Sequence, residues 1–248
     1  MAMNPRLLRP KASGFKYQSL RQGLVAYWPL NETATSGDVT ARDESGKGNN
    51  LTSNNSVLST TGKIGNARDF VAANSEFLSI ASNTDMQFGD KDWTLSLWFN
   101  LNDTTSYQIV AKDASGGREF ECSSATSSGN TRLTTVFYHS GGSISVVAPN
   151  PGSLAIGTWH FLAFRHINST GVISGRINTT TGLTFTRPAG QTWNATSTEF
   201  RLGARAFSPF QAFLNGKIDE CARWNRALSD AELDQLYNSG SGINLGQR

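Results

Sequence analysis

Two carboxylates set two residues apart are the most suggestive chemical feature of this chain. Glu119 and Glu121 stand in Arg118-Glu-Phe-Glu-Cys122, a run with strand character. Alternate residues of a strand share a face, so this spacing points both carboxylates the same way. A carboxylate pair on one face is what glycoside hydrolysis needs, one group as acid and the other as base or nucleophile. The plainer reading is a solvated strand face, and that is the one expected here. His139, His160 and His166 form no metal-binding spacing. His160 and His166 read as strand residues within or beside the core. No Ser-His-Asp or Cys-His set can be assembled from the spacing, so no enzymatic activity is expected.

Two other chemistries have residues to offer. Asp43 opens a loop rich in Ser, Gly and Asn, including Asn49 and Asn50. Such a loop can turn oxygens toward a hard cation, which needs several of them at about 2.3–2.6 Å. The alternative for Asp43 is an Asx-turn. Sugar recognition needs an aromatic face beside amides and carboxylates. Trp193 lies in the polar stretch Gly190-Gln-Thr-Trp-Asn-Ala195, Phe207 and Phe210 flank Pro209, and Tyr138 ends a strand-like run. Packing of these rings against the fold is the alternative for each.

The elements that must hold these residues are short strands separated by Gly, Ser, Asn and Thr. They are expected near 24–29, 67–70, 76–81, 93–101, 107–112, 118–123, 132–139, 143–148, 158–166, 172–178, 183–186, 199–203 and 214–225. In 93–99, Trp93, Leu95, Leu97 and Phe99 face one way and Trp98 the other. The run 159–166 is apolar on both faces, which predicts a strand covered on both sides. On the last strand, Ile218, Glu220, Ala222 and Trp224 share one face, and Asp219, Cys221 and Arg223 the other. Ser229-Asp-Ala-Glu232 has capping-box spacing, with Leu233, Leu236 and Tyr237 following at helical intervals and Gly240 as the stop.

Several segments together resemble the laminin-G-like, concanavalin-A-like family. They are Gly23-Leu-Val-Ala-Tyr-Trp-Pro-Leu-Asn-Glu32, Asp43-Glu-Ser-Gly-Lys-Gly-Asn-Asn-Leu51, Gly62-Lys-Ile-Gly-Asn-Ala-Arg-Asp-Phe70, Trp93-Thr-Leu-Ser-Leu-Trp-Phe99 and Thr158-Trp-His-Phe-Leu-Ala-Phe164. The run from Phe213 to Tyr237, with Ile-Asp-Glu and Asn-Arg-Ala-Leu-Ser, completes the series. The resemblance covers roughly 23–240 and implies an all-β, two-sheet antiparallel jelly-roll-like sandwich with one short C-terminal helix. It also implies a structural calcium near the chain ends, with Asp219 as main ligand, Asp43, Asn49 and Asn50 in support, and a carbonyl near Asn31 or Glu32. The alternative for Asp219 is a pairing with a nearby Arg or Lys. The Glu-x-Asp-x-x-Glu type of pattern found in related sandwich glycosidases is missing around Glu119.

The chain has 248 residues and a net charge of +3. Arg6, Arg9, Lys11, Lys16 and Arg21 fall in residues 1–22, which contain no acid. The remaining 17 basic and 19 acidic residues leave a nearly neutral body, so nucleic acid is not an expected partner. No apolar run is long enough to enter a bilayer. The opening residues lack the apolar core of a signal peptide. Cys122 and Cys221 read as buried, reduced thiols.

These features predict three segments: a basic arm over 1–22, a sandwich over 23–240 and a tail over 241–248. The arm mixes positive charge with apolar residues. Arg6, Leu7, Leu8, Arg9, Phe15 and Tyr17 are the expected anchors on a partner, and the opening resembles N-termini of some bacteriophage structural proteins. The expected function is a non-enzymatic virion component, a capsid decoration or tail-fibre module. It would be held to capsid or tail proteins by the arm and display the sandwich for attachment to surface glycans. A free carbohydrate-binding adhesin is the alternative. Location on a virion surface or outside the cell follows, and assembly into homo-oligomers would suit surface attachment.

Overall fold

A computed structural model describes residues 16–148, 152–208 and 211–247. Its elements in chain order are α1 (Gln18–Arg21), β1 (Leu24–Trp28), β2 (Thr52–Asn54), β3 (Leu58–Thr61), β4 (Asn66–Phe70), β5 (Phe77–Ile80), β6 (Trp93–Leu101), β7 (Gln108–Ala114) and β8 (Gly117–Ser127). There follow β9 (Asn130–His139), β10 (Gly142–Ala148), β11 (His160–Ile167), β12 (Val172–Ile177), β13 (Thr180–Thr186), β14 (Phe200–Leu202), β15 (Gly216–Trp224) and α2 (Asp230–Tyr237). One sheet runs β13-β12-β11-β6-β15-β4-β3, with β1 also paired to β15, and the other runs β10-β9-β8-β7-β14-β5-β2. All-β sandwich architecture is therefore as expected, with β2 and β3 added.

The core between the sheets includes Trp28, Phe70, Trp93, Leu95, Leu97, Phe99, Phe120, Phe137, Phe164 and Phe200, each at most 3% exposed. Strand β6 is buried along its whole length. Its odd residues from Trp93 to Leu101 enter this core, while Trp98 joins a second cluster on the other side of the sheet. That second cluster holds Leu20, Leu24, Tyr27, Phe161, Trp224, Leu233, Leu236, Ile243 and Leu245. The eight-stranded sheet is thus covered on both faces, which explains why β6 and β11 read as apolar on both sides.

The second core corrects the expected boundaries. Residues 16–22 are not a free arm. Tyr17 packs on the second cluster and Leu20 is fully buried in it. The indole N–H of Trp224 donates to the Leu20 carbonyl at 2.6 Å, and Arg226 donates to the carbonyls of Ser19 and Gln22. Tyr17, an expected anchor, therefore packs in part on its own chain. The other expected anchors, Arg6, Leu7, Leu8, Arg9 and Phe15, lie outside the described residues. Nor do 241–247 form a tail, because Ile243 and Leu245 are buried and the Lys16 N–H bonds the Gln247 carbonyl.

The C-terminal helix starts as its capping box requires. The Glu232 N–H donates to Ser229 Oγ, and the Ser229 N–H donates to Glu232 Oε2 at 2.8 Å. The helix ends earlier than expected, at Tyr237, because Asn238 takes the left-handed conformation at φ 48°.

Strand β15 departs from simple alternation. Its first part, Gly216–Ile218, pairs with β4, and its last part, Cys221–Trp224, pairs with β1. A bulge with Glu220 at φ 48° joins the two parts. Ile218 and Cys221 consequently face the inter-sheet core, while Ala222 and Trp224 face the second cluster. The expected common face for Ile218, Ala222 and Trp224 is overturned by that one extra residue.

The bulge also buries two adjacent carboxyls. Burial pushes Asp219 up to about 7 and Glu220 well above its ordinary value. Glu220 accepts the Tyr27 hydroxyl at 2.5 Å. A carboxyl held protonated in the fold binds more protons than the unfolded chain does. The contribution of Asp219 is therefore full at acid pH and is lost as pH rises toward about 7, and Glu220 adds a loss of the same sign. Glu232 acts oppositely. Its hydrogen bonds to Arg226 hold it at about 2, so its contribution disappears only as pH falls toward that value. Urea melts across pH are expected to show stability declining from mildly acid to neutral pH, with a shallower decline in Glu220→Gln. An equal slope in that variant would refute the assignment.

Candidate functional site

The outward face of the seven-stranded sheet gathers a cluster of rings and charges. Strand β8 supplies Arg118 and Glu121, β7 supplies Asp113, β9 supplies Tyr138, and the stretch after β14 supplies Arg205 and Phe207. The Arg118 guanidinium lies over the Tyr138 ring at 4.1 Å and the Phe207 ring at 4.8 Å. It binds Asp113 through two nitrogens, at 2.6 and 3.1 Å. Glu121 accepts Arg205 at 2.6 Å and the Tyr138 hydroxyl at 3.0 Å. Arg205 also lies over Phe207, at 5.4 Å.

Within this cluster two guanidinium groups face two carboxylates, so its charge is balanced. The hydrogen bond to Asp113 holds Arg118 above its ordinary value, whereas burial pushes the Asp113 carboxyl up. Burial, with Glu121 beside it, also raises the Tyr138 phenol. Both rings are only half-buried. The guanidinium packs on both rings, so two aromatic side chains stand beside donors and acceptors at one place. That combination suits a hydroxylated ring, whose C–H face meets the aromatic surface while its hydroxyls meet the rim.

Of the four aromatic residues expected to bind sugar, Tyr138 and Phe207 meet here. Phe210 lies outside the described residues. Trp193 does not take part. It is 5% exposed, its indole N–H donates to the Gly171 carbonyl at 3.2 Å, and its ring meets Phe137 edge-on. A bridge between His139 and Trp193 draws this polar stretch across the end of the core, so the side chain plugs the core. Arg118, Asp113 and Arg205 were not anticipated as site residues. The available signal was Arg118 immediately before the Glu-Phe-Glu alternation, but its partners Tyr138, Arg205 and Phe207 are distant in sequence.

Glu119 and Glu121 do not share a face. The β7–β8 register shifts between Lys112 and Asp113, which leaves Glu119 without a ladder partner. Glu119 turns to Lys112 and to the Thr196 N–H, while Glu121 turns to Arg205 and Tyr138. Neither is a solvated face residue, since they are 3% and 9% exposed. His160 and His166 are buried as expected, and that burial lowers both. Cys122 and Cys221 are free and buried, with the Cys122 thiol pushed up to about 12.

The expected calcium ligands fall in separate places. Asp43 Oδ1 accepts the N–H groups of Tyr27 and Ser45, and Oδ2 accepts the Ser45 hydroxyl and the Asn49 N–H. This is the Asx-turn alternative. Asn50 accepts the Asp43 N–H, and the Asn49 amide bonds Val25, Asp85 and Asn83. Asp219 Oδ2 accepts the Ile64 N–H and Oδ1 accepts the Glu220 N–H. Both carboxylates face donors where a hard cation needs converging oxygens. Among the described residues no group of three or more His, Cys, Asp and Glu side chains is placed to hold a metal. These residues, as arranged, do not fit a calcium cage.

The family model described as the concanavalin A-like lectin/glucanases superfamily matches residues 73–234. No curated protein sequence matches the chain. Among solved structures, it is similar to the binding domain of Paraclostridial Mosquitocidal Protein 1, with a TM-score of 0.68 and 16% identity over 89% of this chain and 53% of that one. It is also similar to Domain 4 of AbnA, a GH43 extracellular arabinanase from Geobacillus stearothermophilus, in complex with arabinotriose. There the TM-score is 0.58, with 20% identity over 85% of this chain and 96% of that domain. A third is the botulinum neurotoxin serotype D ligand binding domain in complex with N-acetylneuraminic acid, with a TM-score of 0.62 and 10% identity over 90% of this chain and 52% of that one. The chain thus spans about half the length of these toxin domains. At such identities the likeness establishes the fold.

Proposed function

This chain belongs to the concanavalin A-like lectin/glucanases superfamily, and from that premise we propose that it is a non-catalytic glycan-binding module. The ligand seats on the outward face of the seven-stranded sheet, against Tyr138 and Phe207. The observation that carries this reading is the Arg118 guanidinium packed on those two half-buried rings and tied to Asp113. Similar folds were solved with arabinotriose and with N-acetylneuraminic acid, which supports a saccharide as the ligand class. The separation of Glu119 from Glu121 argues against a hydrolytic pair, because each is committed to its own ion pair.

Anchoring to a capsid or tail loses support from Tyr17, which packs on its own chain. Display on a virion surface is compatible with glycan binding, but the residues proposed to anchor it fall mostly in 1–15.

A glycan array followed by calorimetry on the array's best ligand tests the proposal. Phe207→Ala is expected to weaken binding about 10- to 100-fold, the loss of roughly 1.4–2.7 kcal/mol typical of a central aromatic contact. Its thermal midpoint is expected to stay close to the parent value, because the ring is half exposed. Undiminished affinity in Phe207→Ala and Tyr138→Ala alike would overturn the assignment of this face.

A further inference from the structure

The opposite side of the molecule carries a cavity that α2 leaves unfilled. It measures about 190 Å3 and lies on the outer face of the eight-stranded sheet, between α2 and the edge strand β13. Its floor includes Arg165 on β11 with Ser174 and Arg176 on β12. Asp230 and Leu233 of α2 line it on one side, and Thr181 and Thr184 of β13 on the other.

Two ion pairs cross this region. Arg165 Nη2 meets Asp230 at 2.7 Å, and Arg176 Nη1 meets Asp234 at 2.7 Å. The aspartate side chains are 76% and 69% exposed, so their remaining lone pairs stay open to a ligand. Arg165 donates to Ser174 Oγ at 3.1 Å, which leaves the serine proton available. Thr181 and Thr184 are exposed, so their hydroxyls are open to a ligand. Arg176 is 5% exposed, and its Nη2 also lacks a partner among the described residues. At Gly182 nothing lies within 4 Å of where a Cβ would stand, so this position leaves the wall open.

We propose that this cavity is a second glycan-binding site and takes one neutral, hydroxyl-bearing sugar ring. The two ion pairs cancel, so the cavity has no net pull on an anion. Its donors and acceptors alternate, and a sugar hydroxyl both donates and accepts. At about 190 Å3 the cavity has room for a single ring. The site shares no residue with the Tyr138 face and rests on the glycan-binding proposal only for its ligand class. Sites on opposite sheets would let one chain bridge two glycan strands without oligomerising.

Amide and arginine Nε–H chemical shifts of the full-length, 15N-labelled chain test it. The probes are methyl glucoside, methyl galactoside, methyl arabinofuranoside and N-acetylglucosamine, with sodium acetate as the anion control. The expected result is saturable shifts at Ser174, Gly182, Thr184 and Arg165 with at least one neutral sugar, at a dissociation constant on the order of 1 mM. Thr184→Trp, at an exposed position on the cavity wall, is expected to weaken those shifts at least ~10-fold and to leave those at Tyr138 and Phe207 in place. Thr184→Ser should retain binding. Shifts confined to the Tyr138 face would overturn this second site and uphold the first. Shifts confined to the cavity would do the reverse. A response to acetate alone, or shifts unchanged in Thr184→Trp, would also overturn it.

Discussion

Glu119→Ala is expected to cost about 3–5 kcal/mol of folding stability, the loss typical when one member of a buried ion pair is removed. The Lys112 and Glu119 side chains are 0% and 1% exposed and in direct contact. Glu119 Oε1 also accepts the Thr196 N–H, at 2.5 Å, and Lys112 Nζ donates to the Thr196 carbonyl at 2.6 Å. The pair therefore fastens the stretch around Thr196 to the sheet. Burial raises Glu119 and lowers Lys112, so desolvation opposes the ionised pair on both sides. The pair is consequently worth little against a well-packed apolar replacement. The large cost arises when Lys112 is left charged and nearly alone in a dry site. Denaturant melts should show Lys112→Met combined with Glu119→Leu recovering much of the loss. A single-variant cost below about 1 kcal/mol would refute this role.

Trp224→Ala is expected to cost a similar amount, about 3–5 kcal/mol, by opening a cavity in the second core. The side chain is fully buried, and its N–H is bonded to the Leu20 carbonyl. The loss should be local in character. Hydrogen exchange is expected to rise first in 16–22 and in α2, with β8 and β9 protected until global unfolding. Unchanged protection in 16–22 would mean that Trp224 does not hold that segment.

These two sites separate what can be read along the chain from what cannot. Strands such as β6 and β11 carry their own pattern of apolar residues, and α2 carries its own cap, so their place was legible. Strands β2 and β3, with Thr52–Asn54 and Leu58–Thr61, have almost no apolar alternation. They are strands because β5 and β4 offer them partners. Trp193 looked like a binding residue because its neighbours are polar, yet its own ring is in the core. Calcium was implied by family likeness, whereas the local hydrogen bonds use Asp43 and Asp219 to brace backbone.

The sequence by itself determined the two-sheet sandwich, the strand faces away from bulges, the helix start at Ser229 and the family. Those properties depend on spacing of two or of three to four residues, which is local. Only the tertiary structure decided that Glu119 and Glu121 part company, that Ile218 and Ala222 face opposite ways, and that Arg118 meets Phe207. One inserted residue in a strand reverses the side chains beyond it, at a position that pairing and packing select. The site residues, from Asp113 to Phe207, are brought together by the pairing of β7, β8, β9 and β14, and such distant partners leave no periodic trace in the chain.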